Sequence, residues 1–85
     1  MTVAQEIHDR LTAAFAPHAL EVIDDSERHR GHGGYREGGE SHFNVTIRAG
    51  AFEGMSRVAR HRAVHTALGA ELVSRIHALA LDIGM

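Results

Sequence analysis

Imidazole is the side chain through which this protein can do metal chemistry, because its 85 residues include eight histidines and no cysteine. Neutral imidazole binds zinc, copper, iron and nickel, whereas a chain without thiolate cannot hold an iron–sulfur cluster through sulfur of its own. Position separates the eight. His61 and His65 have the i, i+4 spacing of a helical metal pair. They fall in a run with Val58, Val64, Leu68 and Leu72, which assigns them to hydrogen-bonded packing against the core. His42 opens an alternating run, where a side chain bonded to nearby backbone is expected, and His8 and His18 are expected in solvent. His29 and His32 lie in a glycine-rich stretch, and composition alone makes them solvated loop residues. His77 stands at the start of the last apolar alternation, on the side of Leu79 and Leu81 but at its margin, where the ring can reach outward. Ser41-His42 and Ser56 with His61 lack a glycine-framed nucleophile elbow or an orienting acid, so no catalytic residue and no enzyme activity are expected.

The elements that must position these groups are short. Val3, Ile7, Leu11, Ala14 and Phe15 recur at helical spacing behind the cap candidate Thr2, and Pro17 stops them, giving a first helix of roughly 3–15. Leu20 to Ile23 is rich in β-formers, and His42 to Ile47 sets Phe43, Val45 and Ile47 against His42, Asn44 and Thr46, so both are predicted strands. Between them Ser26 to Gly39 holds five glycines and two histidines, a long connection expected to be a flexible loop with a function. Ser56 is the N-cap candidate of a second helix running from Arg57 to about Leu72, and Ile76 to Ile83 alternates as a third strand. The predicted order is helix, strand, strand, helix, strand.

A chain this short buries only about 60–65% of its unfolded surface, which allows one small domain over residues 1–85. Net charge of -2 gives no overall attraction to nucleic acid or anionic lipid, although all nine basic residues are arginine and Arg57, Arg60 and Arg62 cluster. No basic start precedes an apolar run and no apolar stretch approaches a membrane span, so a cytoplasmic protein without a membrane partner is expected.

Several short motifs recur in fixed order. Leu20-Glu21-Val22, Asp25-Ser26, Glu40-Ser41-His42-Phe43, Phe52 with Gly54, Ser56-Arg57-Val58, Arg60-His61-Arg62 and Ile76-His77-Ala78-Leu79-Ala80-Leu81 resemble the BolA family over about residues 7 to 83. The resemblance implies an α+β domain similar to the type II KH domain, with helices on one face of a three-stranded mixed sheet. It implies that His77 and a loop histidine ligate a [2Fe–2S] cluster shared with a monothiol glutaredoxin and its glutathione, none being held by the isolated chain. His29 matches the family's loop ligand by its distance from Asp25-Ser26, with His32 as the alternative. Two imidazoles cannot fill four terminal ligand positions, so a thiolate-bearing partner is required. The resemblance also supports a second expectation, a DNA-binding transcriptional regulator of stress response and cell morphology that uses Arg57, Arg60 and Arg62. The residues support it weakly. Gly31-His32-Gly33-Gly34 fits GxxG but lies between strands, and the phosphate-clamping KH loop joins helices. Arg60 and Arg62 diverge by about 160–200° around a helix, and a homodimer remains open on sequence alone.

Overall fold

A computed structural model describes residues 2–25 and 42–85. Chain order is α1 (Val3–Phe15), β1 (Ala19–Asp24), β2 (His42–Arg48), a 3-10 turn at Gly50–Phe52, α2 (Arg57–Leu68), α3 (Ala70–Ser74) and β3 (Ala78–Gly84). β2 is the centre of the sheet, antiparallel to β1 and parallel to β3. Loop residues Ser26 to Gly39, with His29 and His32, lie outside the described residues.

α1 starts where its capping box starts. Thr2 Oγ1 accepts the Gln5 amide at 3.1 Å, while Gln5 Oε1 accepts the Thr2 amide at 3.0 Å, so two orphan donors are satisfied reciprocally. Ala16 leaves the helix with φ 45° and Pro17 follows. Ile7 and Leu11 are fully buried, and Phe15 meets Phe52 at 4.7 Å between ring centroids. Ala14, assigned by spacing to the same stripe, is exposed.

Alternation along β2 divides the sheet into two faces. Phe43, Val45 and Ile47 are buried and lie opposite Leu79, Leu81 and Ile83 in register, with Leu20 and Val22 continuing the apolar face on β1. Helices cover this face, where Val64, Leu68 and Leu72 join Ile7 and Leu11 in the buried cluster. Exposed Ala78, Ala80 and Asp82 belong to the opposite face, as period-two alternation requires.

The second helix departs from its expected span. It ends at Leu68 because Gly69 adopts φ 86° and ψ 146°, after which Ala70–Ser74 forms a separate turn carrying Leu72. A φ and ψ of this kind are essentially restricted to glycine. Arg10 on α1 donates to the freed Leu68 carbonyl, and a Cβ added at Gly69 would lie 3.2 Å from Arg10 Nη1. The helix end is thereby capped by a cation where the macrodipole favours one. Arg75 secures the following turn to α1: Nη2 reaches Glu6 Oε1 at 2.9 Å and Nη1 reaches Oε2 at 3.2 Å. β3 then begins at Ala78, two residues later than the alternation indicated.

Candidate functional site

Both ends of the connection between β1 and β2 lie at one end of the sheet. Asp24 pairs with Phe43, the Asp25 amide donates to the His42 carbonyl at 2.8 Å, and Asn44 Nδ2 donates to Asp25 Oδ2 at 3.0 Å. Parallel register sets His42 opposite Ala78, so His77 arrives at the same end one residue before β3. Its side chain is on the surface.

His42, 7% exposed, lies against His77 with ring centroids 4.9 Å apart and planes inclined by 54°. Sequence placed His42 at a loop end without associating it with His77. The available signal was positional: if His42 and Ala78 begin neighbouring parallel strands, the residue before Ala78 must approach His42. Alternation within each strand does not give the pairing between strands, and so did not reveal it.

Two imidazoles are a partial donor set. Among the described residues no group of three or more histidine, cysteine, aspartate or glutamate side chains is arranged to hold a metal ion. His77 has the exposure a ligand shared with a second protein needs, whereas His42 is enclosed beside it.

The pair on α2 differs from its sequence assignment. His65 is exposed and His61 only half-buried, so they do not share a packed face with Val64 and Leu68. Val58, placed by spacing in the same stripe, is 59% exposed. Six residues separate Val58 from Val64, about 240° around a helix, while the true inner face combines Val64 and Leu68 with the small Ala63 and Ala67. His61 is nevertheless hydrogen-bonded. Its Nδ1 lies 2.9 Å from the Arg57 carbonyl oxygen; because a carbonyl only accepts, that nitrogen carries the proton. His8 and His18 are exposed, as expected.

Arg57, Arg60 and Arg62 all lie on α2, which Ser56 caps by accepting the Ala59 amide at 3.1 Å. Arg57, Arg60 and His61 border a cleft against β3, while Arg62, Val58 and His65 line a neighbouring groove that Arg57 and His61 also border. The divergence expected from helix geometry is therefore present. Phe43 and Phe52 are buried and Phe15 half-buried, leaving none of the three as an open base-stacking platform. Among the described residues no helix is long and apolar enough to cross a membrane.

A family model described as BolA-like protein matches residues 11–84. A Sinorhizobium protein of uncharacterised function is 48% identical over 83 residues, covering 96% of this chain and 89% of that protein. The Escherichia coli K12 protein named DNA-binding transcriptional regulator BolA is 41% identical over 81 residues, covering 95% and 73%. Among solved structures, BolA1 from Arabidopsis thaliana superposes with a TM-score of 0.81 at 32% identity, covering 99% of this chain and 92% of that one.

Proposed function

Because the chain belongs to the BolA-like family, we propose that it is a non-catalytic adaptor that shares a [2Fe–2S] cluster with a monothiol glutaredoxin. The observation that carries this reading is the exposed His77 at the end of the sheet where the β1–β2 connection leaves and returns. His77 provides one imidazole. His29 provides the second from the connection, or His32 in its place. The donor chemistry fits such a group, since histidine replaces thiolate on one iron in Rieske centres. With no cysteine in the chain, the remaining ligands come from the partner's active-site thiolate and its glutathione. A bound cluster would supply iron and sulfide for transfer or sensing; this chain's residues bind it at nitrogen and hold the two proteins together.

The test is to mix the purified protein with cluster-loaded glutaredoxin and record visible absorption and circular dichroism. A new spectrum that His77→Ala abolishes is expected. An unchanged spectrum on mixing, or identical spectra from wild type and His77→Ala, overturns the reading.

A second reading, a DNA-binding regulator, is favoured by the name of the Escherichia coli relative and by three arginines on one helix. Arg57, Arg60 and Arg62 would contact phosphates, giving an affinity for promoter DNA that falls with salt. Absence of binding at every salt concentration eliminates it.

A further inference from the structure

The described arginines fall into two groups. Arg10 donates to the Leu68 carbonyl and approaches Glu6, Arg48 pairs with Asp82 at 3.0 Å, and Arg75 pairs with Glu6 and Glu71. Arg57, Arg60 and Arg62 have no carboxylate partner among the described residues, and Arg60 Nε is buried with no acceptor among them. Folded proteins leave few buried donors unsatisfied, so each exception calls for a ligand or a structural reason.

Arg60 also borders a space that can receive one. Between α2 and β3 lies a cleft of about 590 Å³, lined by Arg57, Arg60 and His61 from the helix and by Leu81, Asp82 and Ile83 from the strand. Asp82 is the acidic lining group, and its carboxylate already accepts Arg48 Nη2 at 3.0 Å, so its charge is compensated from outside the cleft. Two arginines with no carboxylate partner among the described residues therefore line one concave surface at the first turn of α2, where the helix dipole also favours negative charge. Guanidinium presents a planar fork matched to two oxygens of one anion.

We propose that this cleft is a binding site for a single phosphate-class oxyanion, either free phosphate or the phosphate of a small monoester, with Arg60 and Arg57 as its anchoring groups. The site is separate from the histidines at the end of the sheet and does not depend on the adaptor reading. It differs from a nucleic-acid track as well. A strand-following surface needs phosphate contacts laid out along a line, whereas Arg60 borders this cleft alone, Arg62 borders only the neighbouring groove, and Arg57 lies between the two.

The test uses the complete chain and arginine side-chain 15N NMR, with the Arg60 Nε–H resonance as reporter. Inorganic phosphate, then a small phosphate monoester, is titrated against chloride at matched ionic strength. The expected result is a saturable Arg60 shift with either phosphate and none with chloride. Arg60→Lys keeps the charge but loses the fork, and Arg57→Gln removes a cation. Each is expected to weaken phosphate about tenfold or more, the ratio associated with hydrogen bonds to charged groups; in the Lys variant the shift is read on backbone amides of Arg57 and His61. Preference for the monoester identifies the source as a small phosphorylated molecule, and equal affinity identifies the free anion. A non-saturating shift, an equal chloride response, or Arg60→Lys binding as tightly as wild type overturns the proposal. So does a loss in Arg62→Gln equal to that in Arg57→Gln, which would assign the arginines to one nucleic-acid surface. Since the wild-type titration stands alone, a variant that fails to fold does not remove the test.

Discussion

Replacing Gly69 by alanine distinguishes two accounts of the helical region by the sign of its effect. In a continuous helix from Arg57 to about Leu72, the span indicated by apolar spacing, alanine would stabilise the protein by about 1 kcal/mol relative to glycine. The structure gives the opposite expectation. Gly69 has φ 86° and ψ 146°, a conformation that costs an alanine about 1–3 kcal/mol, and the new Cβ would approach Arg10 Nη1 at 3.2 Å. Displacing Arg10 would loosen its bond to the Leu68 carbonyl, a helix-end interaction worth about 0.3–1 kcal/mol. Together these give a loss of about 1.5–4 kcal/mol, a large fraction of the stability of a domain this size. Urea unfolding followed by far-UV circular dichroism would show a midpoint lowered by about 1 M or more, taking m near 1 kcal/mol/M for a small domain. Arg10→Met in the two backgrounds measures the contact directly. Its cost should be smaller when Gly69→Ala is already present, with a coupling of about 0.5 kcal/mol or more. A Gly69→Ala protein as stable as wild type, or more so, refutes the reasoning about both the helix break and its cap.

Three further expectations follow from the sites. His42→Gln should leave the fold intact by far-UV circular dichroism but change the visible spectrum formed with cluster-loaded glutaredoxin, because it removes the ring against His77; a spectrum identical to wild type would deny His42 any part in placing that ligand. Glu6 has its carboxyl pKa held below the usual value near 4.5, chiefly by the hydrogen bonds from Arg75. A lowered folded-state carboxyl pKa stabilises the protein fully above the unfolded value and loses that contribution as pH falls through the folded value. The stability difference between wild type and Glu6→Gln should therefore be constant from pH 7 to about 5.5 and shrink on acidification below about 4.5, measured by urea unfolding at each pH; a pH-independent difference would contradict the ion pair. For the DNA reading, Arg57→Gln should reduce the salt slope of promoter-DNA binding by about 1 in electrophoretic titrations, and an unchanged slope would remove Arg57 from that surface.

The legible parts of the fold were those whose signals are local. Thr2 and Gln5 specify a helix start through their own hydrogen bonds, Phe43, Val45 and Ile47 specify a buried strand face, and Ser56 caps the second helix where expected. What failed required knowledge of a neighbour. Val58 and the histidine pair looked internal because apolar spacing was counted without the alanines that complete the true inner face, and alanine carries little hydrophobic signal. The helix break was missed because apolar spacing does not reveal the backbone angles of Gly69 or its close approach to Arg10, nearly sixty residues earlier. His77 was identified through family motifs, and its outward exposure matches the expectation; its proximity to His42 follows from parallel register, which neither strand encodes by itself. Arg60 could be recognised as part of a basic cluster, but its missing acceptor is a property of packing alone.

The Asp25–His42 backbone bond closes the neck between β1 and β2 through groups common to every amino acid. Pairing continues to that point, so the register of β1 on β2 is held by the strands themselves up to the residues that flank 26–41. For a connection joined this way, even doubling its length adds only about 0.6 kcal/mol of closure entropy. Residues between the two ends can thus be lengthened, shortened or exchanged while His42 and His77 keep their places. Under the proposed reading, the imidazole at His77 is set by the fold, whereas the ligand supplied from the connection could change its chemistry during evolution without asking the sheet to fold again.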